Sequence, residues 1–297
     1  MGLMRMGLPF IGFALGSILL TGGFRAATGS AAPAKITLQM QRSSPQDLEI
    51  SGVVPGIPVG VSRFVRYDDL AHLQQVAYTV KDDPNLDGPA QLSGVPLDAL
   101  VAALGFTAGN QPLVAAICTD GYEGHYTAAY RAEHHPFLVL KMNGQLPAQW
   151  PKGPDGIPFA PFFISHAFFK PDYKILGHAD EPQIPIGITQ LRFYDQAAAL
   201  APLKPAASAG PAATQGYRIA VQNCLRCHQA ENIGGSKSPF QWPQLAMIAQ
   251  GNATAFGKYV VQPNRVNPEA TMPANPTYNA ATVAALVAYF QSQGGKQ

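Results

Sequence analysis

The sequence is short of charge, cysteine and tryptophan. Asp, Glu, Lys and Arg make up 13% of the 297 residues and leave a net charge of +2. That balance gives no basic surface of the kind nucleic acid requires. Three cysteines do not build a disulfide framework, because Cys224 and Cys227 fall in one motif and Cys118 stands alone. Internal repeats are also lacking. What is abundant is glycine (29) and proline (27), which favours turns and irregular connections over long helices. Hydrophobic residues, at 47%, suffice for real cores. The length suits two domains of about 100–200 residues each.

The start of the chain reads as an export segment. Met6 to Phe24 are nineteen uncharged residues between Arg5 and Arg25, followed by the small residues Ala26 to Ala32. A basic start, an apolar run and a small-residue site make a signal peptide over residues 1–32. The alternative is an uncleaved membrane anchor, since about 20 apolar residues span a bilayer. Five glycines between Gly7 and Gly23, with Pro9, weaken the anchor. Either way the rest of the chain is expected to be periplasmic or otherwise exported.

Residues 35–200 alternate apolar runs with turn signals. Leu113–Ile117 and Phe137–Leu140 are expected strands, closed by Asp120-Gly121 and Asn143-Gly144. Val95, Leu97, Leu100, Val101 and Leu104 recur at helical spacing. Residues 201–213 read as a semi-extended Pro/Ala linker, and residues 214–297 as helices between Gly/Pro loops. The first region holds eleven Lys/Arg against sixteen Asp/Glu, a net −5; residues 214–297 hold six against two, a net +4. Opposite charges on tethered domains favour transient docking that salt weakens, with Arg226, Lys237, Lys258 and Arg265 as the basic candidates; the alternative is that these are simply solvated surfaces.

Cys224-Leu225-Arg226-Cys227-His228 is a C-x-x-C-H motif, the signal for covalent haem attachment. Two thiols add to the two porphyrin vinyl groups, and the adjacent imidazole ligates the iron. Zinc or a thiol redox couple also uses C-x-x-C, but the export segment argues against the cytosolic reading, and the rest of the domain supports haem. Met272, 44 residues after His228 in a Pro-bounded loop, is the expected sixth ligand. His/Met ligation raises the reduction potential and belongs to electron carriers. Asn279 is placed to cap a last helix with Val283, Leu286, Val287 and Phe290 on one face, and Gly216 allows a close crossing near Tyr289. On these residues, 214–297 resemble a class I cytochrome c domain. The resemblance implies an all-α fold, one haem c, and a proline carbonyl that bonds the other nitrogen of His228. Trp242-Pro243-Gln244-Leu245 is similar to the family's Gly-Pro-x-Leu, which makes Pro243 the first candidate for that carbonyl and Pro239 the second.

Four segments of the first domain run in one family's order: Leu92–Leu100, Thr119–Tyr122, Leu140–Pro147 and Gly153-Pro154. They resemble the molybdopterin-binding domain of the sulfite oxidase family over roughly residues 50–197, which implies an α+β fold. The family holds molybdenum on a cysteine thiolate upstream of the Gly-Val-Pro-Leu segment. No cysteine occurs in residues 1–117, and Tyr78–Asp83 offers no soft ligand. The family's basic residues after Gly-Pro are not recognisable in Asp155–Phe159 either. The fold is therefore expected without a tightly bound molybdopterin, and Cys118 as a buried, inert thiol. His72, His125, His134, His135, His166 and His178 leave a replacement metal site open, against which His134-His135 adjoin Pro136 in an expected loop, where adjacent histidines more often face solvent. Tyr122, Phe159, Phe162, Phe163, Phe168 and Phe169 are expected core or partner-facing residues.

The resulting expectation is an exported two-domain protein: a monohaem cytochrome exchanging single electrons with redox partners, behind a docking or ligand-binding module. The alternative is a molybdenum-dependent sulfite dehydrogenase with a fused haem acceptor. A haem-based sensor is a third reading, against which Met272 stands because it would close the exchangeable site.

Overall fold

The computed structural model describes residues 35–294 except 82, 154–155 and 167–180. The expected export segment of residues 1–32, Phe168, Phe169 and His178 lie outside these. Among the described residues, no helix is long and apolar enough to cross a membrane.

The N-terminal half is built on a mixed sheet. Its elements are β1 (Leu48–Gly52), β2 (Arg63–Val65), α1 (Tyr67–Ala71), β3 (Val76–Val80), β4 (Ala90–Pro96), α2 (Leu97–Ala103), β5 (Leu113–Cys118), β6 (Glu123–Tyr126), α3 (Ala128–His134), β7 (Pro136–Met142), β8 (Phe162–His166) and β9 (Ile186–Tyr194). The strands run in the order β2-β1-β9-β8-β7-β4-β3, with β5 joined to β9 and β6. Only the β1–β9 pairing is parallel among those described. The expected strands are thus present, and the helical spacing from Val95 resolves into the end of β4 followed by α2. Leu97, Leu100 and Val101 turn into the core with Leu48, Ile50 and Phe193 on one side of the sheet. Phe137, Phe159 and Phe163 fill the other side. At Gly94, where β4 bulges against β7, a Cβ would lie 1.9 Å from the Leu138 carbonyl oxygen, so only glycine fits.

The C-terminal half is helical: α4 (Gln196–Leu200), α5 (Gly210–Asn223), α6 (Trp242–Gly251), α7 (Ala253–Val261), α8 (Pro263–Val266) and α9 (Ala280–Gln293). Asn279 caps α9, its Oδ1 accepting from Thr282 N at 2.9 Å. The expected crossing of α5 on α9 occurs at Gly216, where a Cβ would meet the Ala285 oxygen at 1.9 Å. That close approach rotates the buried face of α9. Leu286 and Phe290 are buried as expected, Val283 and Val287 only half so, and Thr282, Ala285 and Tyr289 join them.

Residues 201–213 correct the expectation of an extended linker. They form 3-10 turns at Ala201–Leu203 and Ala207–Ala209, then the first residues of α5. Pro211 at the start of α5 lacks an N–H that the helix would leave unpaired anyway, and the alanines that follow favour helix. Leu203 and Ala213 are buried. The halves are consequently continuous at one point: Leu113 of β5 enters the helical core, where it clusters with Leu200 of α4, Ile219, Trp242 and Phe290.

Charge is a minor part of that seam. Lys237 pairs with Asp120 across it. Hydrogen bonds also cross it, main-chain ones from Glu123 N to Arg226 O and from Ser236 N to Gly121 O, both 2.9 Å, and side-chain ones from Gln183 Nε2 to Gln222 O at 2.8 Å and from the Arg226 guanidinium to Pro182 O at 3.1 Å. Arg226 and Lys237 lie at the seam, whereas Lys258 and Arg265 are exposed elsewhere.

Candidate functional site

The turn that ends α5 gathers three of the expected residues. Cys224 N bonds Ala220 O at 2.8 Å, Cys227 N bonds Cys224 O at 3.2 Å, and His228 N bonds Cys224 O at 2.9 Å. Helical geometry therefore continues past Asn223, setting the two thiols about one turn apart with the imidazole next to the second. Burial pushes the Cys224 thiol up to about 12, with a further push from Cys227, and raises Cys227 as well.

His228 is buried, which lowers its pKa, while the Phe240 carbonyl opposes that shift. Its Nδ1–H donates to the Phe240 carbonyl at 2.6 Å, which fixes the ring and leaves Nε2 as a lone-pair donor. The expected partner, Pro243 (or Pro239), is thus replaced by Phe240. Pro243 lies in the first turn of α6, where its carbonyl points along the helix. A main-chain oxygen has no side-chain signature, and the one available signal was the irregular stretch between the motif and the Pro at the start of α6.

Met272 stands half-buried on a separate loop. Asn275 pins that loop to the end of α7, its N to Val261 O and its Nδ2 to Val260 O, both 2.9 Å. Tyr278, beside Cys224, has its hydroxyl pKa raised by burial. Two cavities of about 140 and 270 Å³ share Leu203, Ala230 and Glu231, and neither is lined by Cys224, Cys227, His228 or Met272.

Sequence reasoning missed the collar that the sheet half sets on this turn. The β5–β6 turn, with Gly121 at φ 83°, lies so close to Gly235 that a Cβ there would be 2.7 Å from the Gly121 oxygen. Burial pushes the Tyr122 hydroxyl up to about 12; the Arg226 charge opposes that shift and Cys227 adds to it. The only early signal was Asp120-Gly121, which reads as an ordinary turn.

The N-terminal histidines are dispersed. His72 and His135 are exposed, and His135 ends α3 in a left-handed conformation. His134, expected in a loop facing solvent, instead ends α3 half-buried with its ring 4.4 Å from that of Tyr130. His125 Nε2 lies 3.0 Å from Glu123 Oε1, and His166 Nε2 lies 2.9 Å from the Tyr130 hydroxyl. Burial, then the charge of His134, pushes His166 down to about 3. No group of three or more His, Cys, Asp or Glu among the described residues is arranged to hold a metal ion. Cys118 is buried in β5, and desolvation holds its thiol protonated.

No family model matches the chain, and no curated protein sequence matches it. Among solved structures it is similar to the sulfane dehydrogenase SoxCD from Paracoccus pantotrophus, at 15% identity over 53% of this chain, with a TM-score of 0.35. The match spans 40% of that protein's chain. At that score the likeness carries no argument about fold or activity.

Proposed function

We propose that the chain is an exported monohaem c-type cytochrome that passes single electrons between redox partners. Cys224 and Cys227 would hold the porphyrin through thioethers, with His228 and Met272 as axial ligands. The observation that carries this reading is the His228 ring, oriented by the Phe240 carbonyl at 2.6 Å with Nε2 left to ligate, on the turn that bears both thiols. When bound, the haem supplies a one-electron couple at its iron. The chain's own contribution is to fix the imidazole, keep the attachment turn rigid against the sheet half, and hold the Met272 loop through Asn275.

The N-terminal half serves this reading as a supporting and docking module. A molybdenum enzyme of the sulfite oxidase kind would need an accessible cysteine ligand upstream of Gly94, where the sequence has none, and Cys118 is buried in β5. The test is attachment itself. The full chain, matured in a host competent for c-type cytochromes, should keep its haem through denaturation. C224A and C227A should each reduce attachment and the double variant should abolish it. Haem retained by the double variant would refute the assignment.

A further inference from the structure

Arg226 sits between the two attachment cysteines, and its contacts do not neutralise it. Its Nε donates to Gln222 O at 2.7 Å. One terminal nitrogen donates to Pro182 O at 3.1 Å and to Glu181 O at 3.3 Å. These three acceptors are main-chain carbonyls, two of them from the segment that leads into β9, and the guanidinium also hydrogen-bonds the Tyr122 hydroxyl. Among the described residues, no ion pair neutralises the guanidinium, which is half-buried. A cation held this way costs desolvation, and a guanidinium stays charged at any physiological pH. The arrangement is also over-built for mere docking, since Glu123 N already ties the Arg226 carbonyl to the sheet half at 2.9 Å.

We propose that Arg226 is the positioning residue through which the N-terminal half sets the reduction potential of the haem. The inference rests on the haem assignment above. The Glu181 and Pro182 carbonyls keep the guanidinium against the attachment turn instead of letting it extend into water, where solvent would screen it. Ferric haem carries one more positive charge than ferrous haem. A fixed cation on the attachment turn would therefore disfavour the oxidised state of a haem held there, and more strongly where water is excluded. The carboxylate of Glu181, an electrostatic neighbour of Arg226, acts in the opposite sense. The sheet half thus tunes the couple without contributing a ligand.

The test is a potentiometric titration of the full-length, haem-loaded protein, preceded by a haem count. Arg226→Gln removes the charge but keeps a hydrogen-bonding group. It should lower the equilibrium constant for haem reduction about tenfold, a drop of about 59 mV for a one-electron couple. Glu181→Gln should move the potential upward. The Arg226→Gln result decides wherever that variant carries one haem per chain. If it does not accumulate with haem, the sign of the Glu181→Gln shift decides. An unchanged or raised potential in Arg226→Gln, or failing that an unchanged or lowered one in Glu181→Gln, overturns the proposal. A wild-type chain without covalent haem overturns the functional assignment itself, and this inference with it.

Discussion

Leu113 belongs to the sheet by sequence and to the helical core by packing, so truncating it tests whether the two halves are one cooperative unit. The residue is 1% exposed and lies with Leu203, Ile219 and Phe290 in the helical core. Leu→Ala at such a site costs about 2–5 kcal/mol, the transfer free energy of the lost carbons plus the cavity left behind. In a unit this size each kcal/mol moves the melting temperature by about 2–4 °C, so L113A should melt about 4–20 °C lower. The two tryptophans, Trp150 and Trp242, report on different halves. Thermal unfolding of L113A in a W150F background, followed by Trp242 fluorescence and by far-ultraviolet circular dichroism, should give one transition, lowered equally by both probes. Raising salt to 1 M should change it little, because a half-exposed ion pair such as Lys237–Asp120 is worth at most about 1 kcal/mol. A Trp242 transition left at the W150F value, or a salt-induced separation into two transitions, would refute the single cooperative unit.

Three further outcomes are expected. M272A should lose the far-red methionine–iron absorption band and show a lower potential; an unchanged spectrum would assign the sixth ligand elsewhere. His166 titrates near 6.5 when unfolded and is pushed down to about 3 in the fold. Its contribution is therefore complete above about pH 6.5 and is lost progressively as pH falls towards 3; H166Q should flatten the stability profile in that window, and an unaltered slope would contradict the burial argument. G216V places new atoms against the Ala285 carbonyl, where a Cβ alone would sit at 1.9 Å. Overpacking costs about 1–3 kcal/mol or more, so its melting temperature should drop, and a variant as stable as wild type would deny the α5–α9 crossing.

What the sequence made legible was local. The C-x-x-C-H turn, the Asn279 cap and the glycine at the α5–α9 crossing are each specified by a few neighbouring residues, and they stand where expected. The seam was not legible, because net charges of −5 and +4 carry no information about where charges lie. Residues 201–213 looked like a spacer because proline and alanine suggest one in isolation. Proline at a helix start and alanine within it also make good helix, and only Leu203 and Ala213 finding a core to enter decides between the two. The His228 partner escaped for a different reason: hydrogen bonding by a main-chain carbonyl depends on backbone course, to which the identity of Phe240 contributes nothing. Arg226 read as a surface docking charge, although its guanidinium is held by carbonyls of the opposite half.

The central claim is that the chain carries one covalently bound haem and works as an electron carrier. Metal analysis of the purified, matured full chain, before and after denaturing extraction, tests it most directly. The account predicts about one iron per chain that survives denaturation, and no stoichiometric molybdenum. Iron lost on denaturation, or about one molybdenum per chain, would contradict it.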